Sequence, residues 1–595
     1  VEISLRSLLF VSRVKFKRGD VRFLKRTWHR FCLIILLGFF ILLVTACGSE
    51  QPNGEGYVTD ISEDVENIAY LPEEDLEPAV VNTLFSDMLA QIERQTQVDE
   101  MLLAELDSGI YSFDYPLVVV DPYGMSPLSA LALFISDEPM SISVYVPGKT
   151  EHASVFFALD GYNTRHEVPI YGLYPDEPNM VELTGRTRGG EVRRVVLEIR
   201  PDPLPPELAR DIIITNLPQP ERLQPGFNFT FGHKAAFDVN GEYRWFYNDF
   251  TLRGFAMYGY NGHMIFAAGS YHEGDVLLLE VNMLGRVISV YHSPYGMHHD
   301  VTDINGRNLL VNGSHGDTVE DFIYEIDVET GEIVNRLDLK RVLQRTRTVG
   351  FPEVCTVDWF HHNSTVYYNG DIIISGRRQS AVVRLSWPEG ELRWILADHI
   401  GWSPMFQKYL LTPVGDYFEW SYGQHDPQIL HGFDDDPYTI DILLFDNGNG
   451  RFDHDRELQR AVANNEIEAP ENYSRMVHYR INERDMTIEQ IWQFGKELGY
   501  DFFSKGWSNA ILLENGNRLG AFDRYDPEMG GNFNANIIEV DYSGNIIWEA
   551  FGTSTTEVGG FHVYRVVRLP LYTSAANDLR IDVPARVFIP EDRLP

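Results

Sequence analysis

Tyr368-Asn369-Gly370-Asp371-Ile372-Ile373-Ile374 decides the fold of the larger part of this chain. An Asn-Gly pair before an apolar run reads as a two-residue hairpin, because Asn and Gly take positive φ at the least steric cost. The same arrangement recurs at Tyr260-Asn-Gly-His-Met-Ile-Phe266, Ile304-Asn-Gly-Arg-Asn-Leu-Leu310 and Glu514-Asn-Gly-Asn-Arg-Leu519. Between these copies lies a second turn followed by an apolar strand. It is found at Val239-Asn-Gly-Glu-Tyr-Arg-Trp-Phe246, Met283–Ile288, Thr330–Val334, Pro388–Trp394, Glu483–Ile488 and Tyr542–Trp548. Two hairpins per unit make a four-stranded antiparallel blade, and six units predict a six-bladed β-propeller over residues 206–595. A pair of stacked β-sandwiches is the competing fold. The longest insertion, Trp402 to Trp420 with Pro404 and Pro413, is expected as a loop or short helices over one mouth.

Ahead of the propeller, residues 107–205 carry short alternating runs such as Ser141–Pro147, Ser154–Leu159 and Val192–Ile199, the signature of a small N-terminal β-sandwich. The fold class is therefore all-β. Pro201, Pro203, Pro205 and Pro206 form a stiff link between the two parts. Residues 48–106 read as an acidic tether whose end, with Leu84, Met88, Leu89 and Ile92 at helical spacing, forms a short amphipathic helix. Residues 1–47 pair nine Lys and Arg with the apolar run Phe31 to Val44, a signal-peptide pattern. The run closes on Val44-Thr-Ala-Cys47-Gly48, which resembles a bacterial lipobox. Lipidation at Cys47 and an extracytoplasmic, membrane-anchored location are expected, and an uncleaved transmembrane anchor is the alternative. Cys47 would carry lipid and Cys32 would leave, so Cys355 remains as one thiol, read as a packing residue. A net charge of −38 argues against a nucleic-acid partner.

Histidines stand before three of the apolar strands: Gly296-Met-His-His-Asp300, Trp359-Phe-His-His-Asn363 and Gly423-Gln-His-Asp426. His299, His362 and His425 recur at intervals of 63 residues, and His298, His361 and His425 at 63 and 64. In a propeller such positions face one pocket. Strand alternation sends the members of each doublet to opposite faces, so spacing leaves open which member faces inward. The hairpin at Asn369-Gly370 also brings Arg377 and Arg378 back to the histidine end. A planar, permanently charged guanidinium beside imidazole suits a sulfate or phosphate oxyanion.

Asp358-Trp-Phe-His-His-Asn-Ser364, Ser375-Gly-Arg-Arg-Gln379, His298-His-Asp300 and Gly423-Gln-His425 together resemble the signature set of the bacterial aryl-sulfate sulfotransferases, which use no PAPS. The likeness covers nearly the whole mature chain. It implies transfer of a sulfuryl group from a phenolic sulfate donor to a phenol acceptor through a sulfohistidine, with no cofactor. It implies His425 as nucleophile, His361 as base or sulfate ligand, Arg377 as sulfate clamp, and His298, or its neighbour His299, as a further stabiliser. It is compatible with a homodimer. Some members of that family carry a disulfide near the site, which this chain cannot form. No Gly-x-x-x-x-Gly-Lys-Ser/Thr loop is present to cradle a nucleotide sulfate donor. Two other readings compete: a metalloenzyme using the three histidines with Asp300 or Asp426, and a non-catalytic surface scaffold. Asp446-Asn-Gly-Asn-Gly-Arg-Phe-Asp453 superficially suggests a calcium loop but breaks its spacing, which favours a glycine-rich turn.

Overall fold

Seven β-sheets and two α-helices make up the described part of the chain. The computed structural model describes residues 78–590, apart from 206–210, 218, 250–256, 261, 270–273, 305, 348–356, 434–435, 454–455, 465–466, 469, 527–531, 554–560, 578 and 580. The signal pattern, Cys47, most of the acidic tether and Cys355 lie outside the described residues. No helix among the described residues is long and apolar enough to cross a membrane.

Pro78–Asp107 is one helix of 30 residues, longer than its expected short form. Phe85, Met88, Leu102 and Leu106 are buried along it. The stripe is interrupted by Gln95 and Asp99, which is why periodicity alone shortens it. Both are buried and satisfied: Gln95 brackets the Val287 backbone, and Asp99 forms an ion pair with Arg286 at 2.8 Å.

The N-terminal sheet is organised by one long strand, Ser129–Val146. Its first half pairs with Leu117–Val120 and Asn163–Tyr171, and its second half with Val155–Ala158 and Asn179–Thr187. Register shifts between Ile135 and Met140, where Pro139 cannot donate to a ladder. A single bent strand therefore serves both halves of the expected sandwich.

Six further sheets follow, each with four strands in antiparallel order. The fourth sheet shows the pattern: His362–Tyr368, Asp371–Gly376, Ala381–Ser386 and Leu392–Leu396. Asn369 and Gly370 join its first two strands with φ of 51° and 84°, the positive pair that a type I′ turn needs. The six copies of the other turn all join the last two strands of a sheet. In five of them a carboxylate or amide, on Asp238, Asn282, Asp327, Asn482 or Asp541, accepts a backbone N–H from the turn that follows.

The Asn-Gly series has only four copies for two physical reasons. The first sheet takes its remaining strand, Val566–Leu569, from the far end of the chain, pairing it with Phe227–Thr230. In the fifth sheet a longer loop joins Leu430 to Thr439. First strands of successive sheets, from the second to the sixth, contact one another. The insertion expected over a mouth does otherwise: Thr412–Val414 pairs in parallel with Thr487–Glu489 and covers the outer edge of the fifth sheet. Asp211–Asn216 covers the sixth sheet by antiparallel pairing and Arg586–Phe588 the second by parallel pairing. Covering an edge removes a row of unpaired backbone groups.

Candidate active site

The starts of the first strands in the third, fourth and fifth sheets carry the histidines. His299 and His361 take φ of 57° and 54°, and Asp426, after His425, takes 52°. Non-glycine residues rarely hold this left-handed conformation, and where they cluster the surrounding structure must enforce it. In each doublet the turn divides the work. His298 Nε2 donates to the Gly313 carbonyl at 2.9 Å, and burial pushes its pKa down to about 3. His362 Nε2 donates to the Ser364 carbonyl at 3.0 Å and is likewise lowered to about 3 by burial. These two are neutral wall groups, and their partners His299 and His361 come together with ring centroids 5.0 Å apart.

Glu320, itself at φ 55°, sits between that pair with one oxygen 2.8 Å from His361 Nδ1 and 3.3 Å from His299 Nε2. Asp358 Oδ2 lies 2.8 Å from the same His361 nitrogen and accepts from Arg378 Nε at 3.3 Å. Burial would lower the His361 pKa, but the Asp358 and Glu320 carboxylates overcome it and push it up to about 9. His361 is thus an imidazolium at neutral pH, with both carboxylates ionised around it. For Glu320, burial opposes ionisation and the two imidazoles outweigh it, holding the carboxyl well below its ordinary range.

His425 has different company. Its Nδ1 is 2.7 Å from Asn447 Oδ1, and the Asn447 amide donates to the Ser504 and Trp507 carbonyls, each at 3.0 Å. Two carbonyl acceptors fix which end of the amide faces the ring. Nδ1 must then carry the proton, leaving the Nε2 lone pair available. Burial, then the charge of Arg377, hold the His425 pKa well below its ordinary value, so the ring is neutral. Arg377 follows from the hairpin: its backbone N–H reaches the His361 carbonyl at 3.1 Å, and its Nη2 donates to Lys505 O at 3.1 Å.

Tyr564 bridges the groups. Its ring stacks on His299 at 5.6 Å and meets His425 edge-on at 6.5 Å. Next to it, the buried Arg565 pairs with Asp300 at 3.0 Å and Asp426 at 3.3 Å, which occupies both aspartates that the metal reading needs. Glu320 with His298 and His299, and Glu320 with Asp358 and His361, do bring ligand atoms within 4.8 Å of one another. Of these groups, His361 Nδ1 and Asp358 Oδ2 are committed to the hydrogen bond just described. Asp446, first residue of the calcium-like stretch, is held by Arg451 and Arg475, each at 2.8 Å, which fits the turn and occupies that carboxylate. Glu320, Asn447, Tyr564 and Arg565 were not legible as site residues; positive φ at Glu320 is visible only in the fold.

The arylsulfotransferase family model matches residues 219–562, and the model of that family's Ig-like N-terminal domain matches 117–200. Among curated proteins, the chain is similar to the arylsulfate sulfotransferase AssT of Lelliottia amnigena, 24% identical over 65% of this chain and 81% of that one. It is also similar to the protein of that name from Escherichia coli O6:H1, 26% identical over 71% of this chain and 88% of that one.

Proposed function

The chain belongs to the arylsulfotransferase family, and on that premise we propose that it moves a sulfuryl group from a phenolic sulfate to a phenol by a ping-pong route through His425. The observation that carries this reading is the wiring of His425, a neutral ring with Nδ1–H on the Asn447 oxygen and Nε2 unprotonated. In the first half-reaction Nε2 attacks sulfur, the S–N bond forms, and the bond from sulfur to the ester oxygen breaks. The departing aryloxide takes a proton from the His361 imidazolium, and Arg377 faces the sulfuryl oxygens. Asn447 accepts more strongly from Nδ1–H as the ring gains positive charge. In the second half, neutral His361 takes the proton of the incoming phenol, whose oxygen displaces His425 from sulfur. His361 is then acid first and base second, which joins the two roles the resemblance left open. His298 and His362 are wall residues in this scheme, and His299 with Glu320 positions His361.

The reading treats the six sheets as blades of one six-bladed propeller, with first strands innermost. It includes export and anchoring through lipid at Cys47, for which the lipobox-like run is the support. The test is direct: purified protein given 4-nitrophenyl sulfate and a phenol should release nitrophenol and form the sulfated phenol in equal amounts, without added nucleotide and in the presence of chelator. Activity that chelator destroys and metal restores would instead favour the metal reading around Glu320.

A further inference from the structure

A cavity of about 550 Å³ opens beside the fifth sheet, and neither Arg377 nor any histidine is among its lining residues. Phe418, Trp420, Tyr422, Phe452 and Tyr473 supply its apolar wall. Phe418 and Trp420 meet edge to face at 4.7 Å. Two cations reach the same space: Arg451 lies over the Tyr473 ring at 4.1 Å, and Lys496 over it at 5.1 Å. The size is that of a small-molecule site, and a mostly aromatic lining with a few convergent polar groups is its usual chemistry.

The polar groups are what distinguish this cavity from a crevice. Arg451 is 7% exposed, and its Nε has no hydrogen-bond partner among the described residues. Buried polar atoms rarely go unpaired, so one on a cation that lines a cavity calls for an occupant with a polar atom of its own. Of the carboxylates nearby two are already engaged, while Glu471, exposed, also lines the cavity. Glu419 is bound by Lys496 at 2.6 Å and Arg475 at 2.9 Å, and Asp446 by Arg451 and Arg475. Arg451 Nε thus remains a cationic donor above aromatic walls.

We propose that this cavity is a second binding site, separate from the transfer site, for a small aromatic anion whose oxygen group takes the Arg451 Nε donor and whose ring lies among Trp420, Phe452 and Tyr473. The ligand class comes from the cavity alone and is not a product of the transfer reading. It coincides with the class to which aryl sulfates belong, which places a holding site for such compounds near the strand that begins at His425.

The probe is 4-methylbenzenesulfonate, whose sulfur is bonded to carbon and cannot be transferred. Calorimetric titration of the full-length protein is expected to give two sites per chain. Phe452→Asp, which removes one wall and adds a repelling charge, and Tyr473→Leu, on the facing side, should each remove the same single site. Arg377→Ala should remove the other. Near-ultraviolet circular dichroism checks that each variant keeps its fold. One site per chain, or a second site that survives both Phe452→Asp and Tyr473→Leu, would overturn the proposal whatever the enzymatic assay shows. If the transfer reading failed, only the site lost in Arg377→Ala would need reinterpretation.

Discussion

His425 begins one strand and His361 immediately precedes another in the neighbouring sheet, yet one is bordered by an amide and a guanidinium and the other by two carboxylates. The first is therefore neutral with its Nε2 lone pair free to react. The second is held charged up to about pH 9. On the proposed reading, identical side chains become nucleophile and acid through their neighbours, as happens wherever one site must run both chemistries. Sequence spacing put both at one place but could not divide the labour, because the dividing groups, Glu320 and Asn447, lie in other segments.

Erasing the guanidinium side of this contrast should cost most. Arg377→Lys keeps charge but loses the planar fork, and turnover should fall by about two decades or more with the fold intact. Arg378, whose Nε binds Asp358 at 3.3 Å, should be far less sensitive to the same change. If Arg378→Lys proved the more damaging, the hairpin would deliver the other arginine to the substrate. Asn447→Leu removes the acceptor that fixes the His425 tautomer, and a loss of about two decades in kcat with little change in KM is expected. Here the diagnostic is the tautomer itself: nitrogen chemical shifts of the ring should show protonation shared between Nδ1 and Nε2.

A milder change acts on the carboxylate side. In Glu320→Gln one of the two charges that raise His361 is lost, so the alkaline fall in the donor half-reaction should move from about pH 9 toward neutrality. At pH 7 the loss should be about twofold, rising at higher pH, and lowering the pH should recover it. An unmoved pH profile would mean that Glu320 does not set the charge of His361.

The smallest effect concerns stability. The His361 pKa is raised above its ordinary 6.5, so its contribution is full below about pH 6.5 and is lost as pH rises through about 9. Thermal midpoints should decline across that window in the native protein and decline less in His361→Gln.

The pattern of what was legible follows the range of the interactions. Asn369-Gly370 dictates its hairpin locally, and so do the six strand-joining turns, because the residues that need positive φ or accept turn N–H groups are neighbours in sequence. The edge strand Thr412–Val414 was misplaced because it pairs with Thr487–Glu489, more than 70 residues on, through backbone bonds that no side chain announces. The doublets were ambiguous for another reason. Strand alternation presumes extended backbone, whereas His299 and His361 are left-handed, so alternation does not decide which member points inward. His299 and His361 therefore share the site although they occupy opposite positions in their doublets.

The most direct test of the central claim is intact-mass measurement after mixing with 4-nitrophenyl sulfate in the absence of acceptor. The account predicts a burst of about one nitrophenol per chain and one added sulfuryl group, mapped to His425. The adduct should be stable in mild base, discharged by a phenol, and absent in His425→Asn. Turnover that requires donor and acceptor together, with no adduct trapped or with the label on another residue, would contradict it.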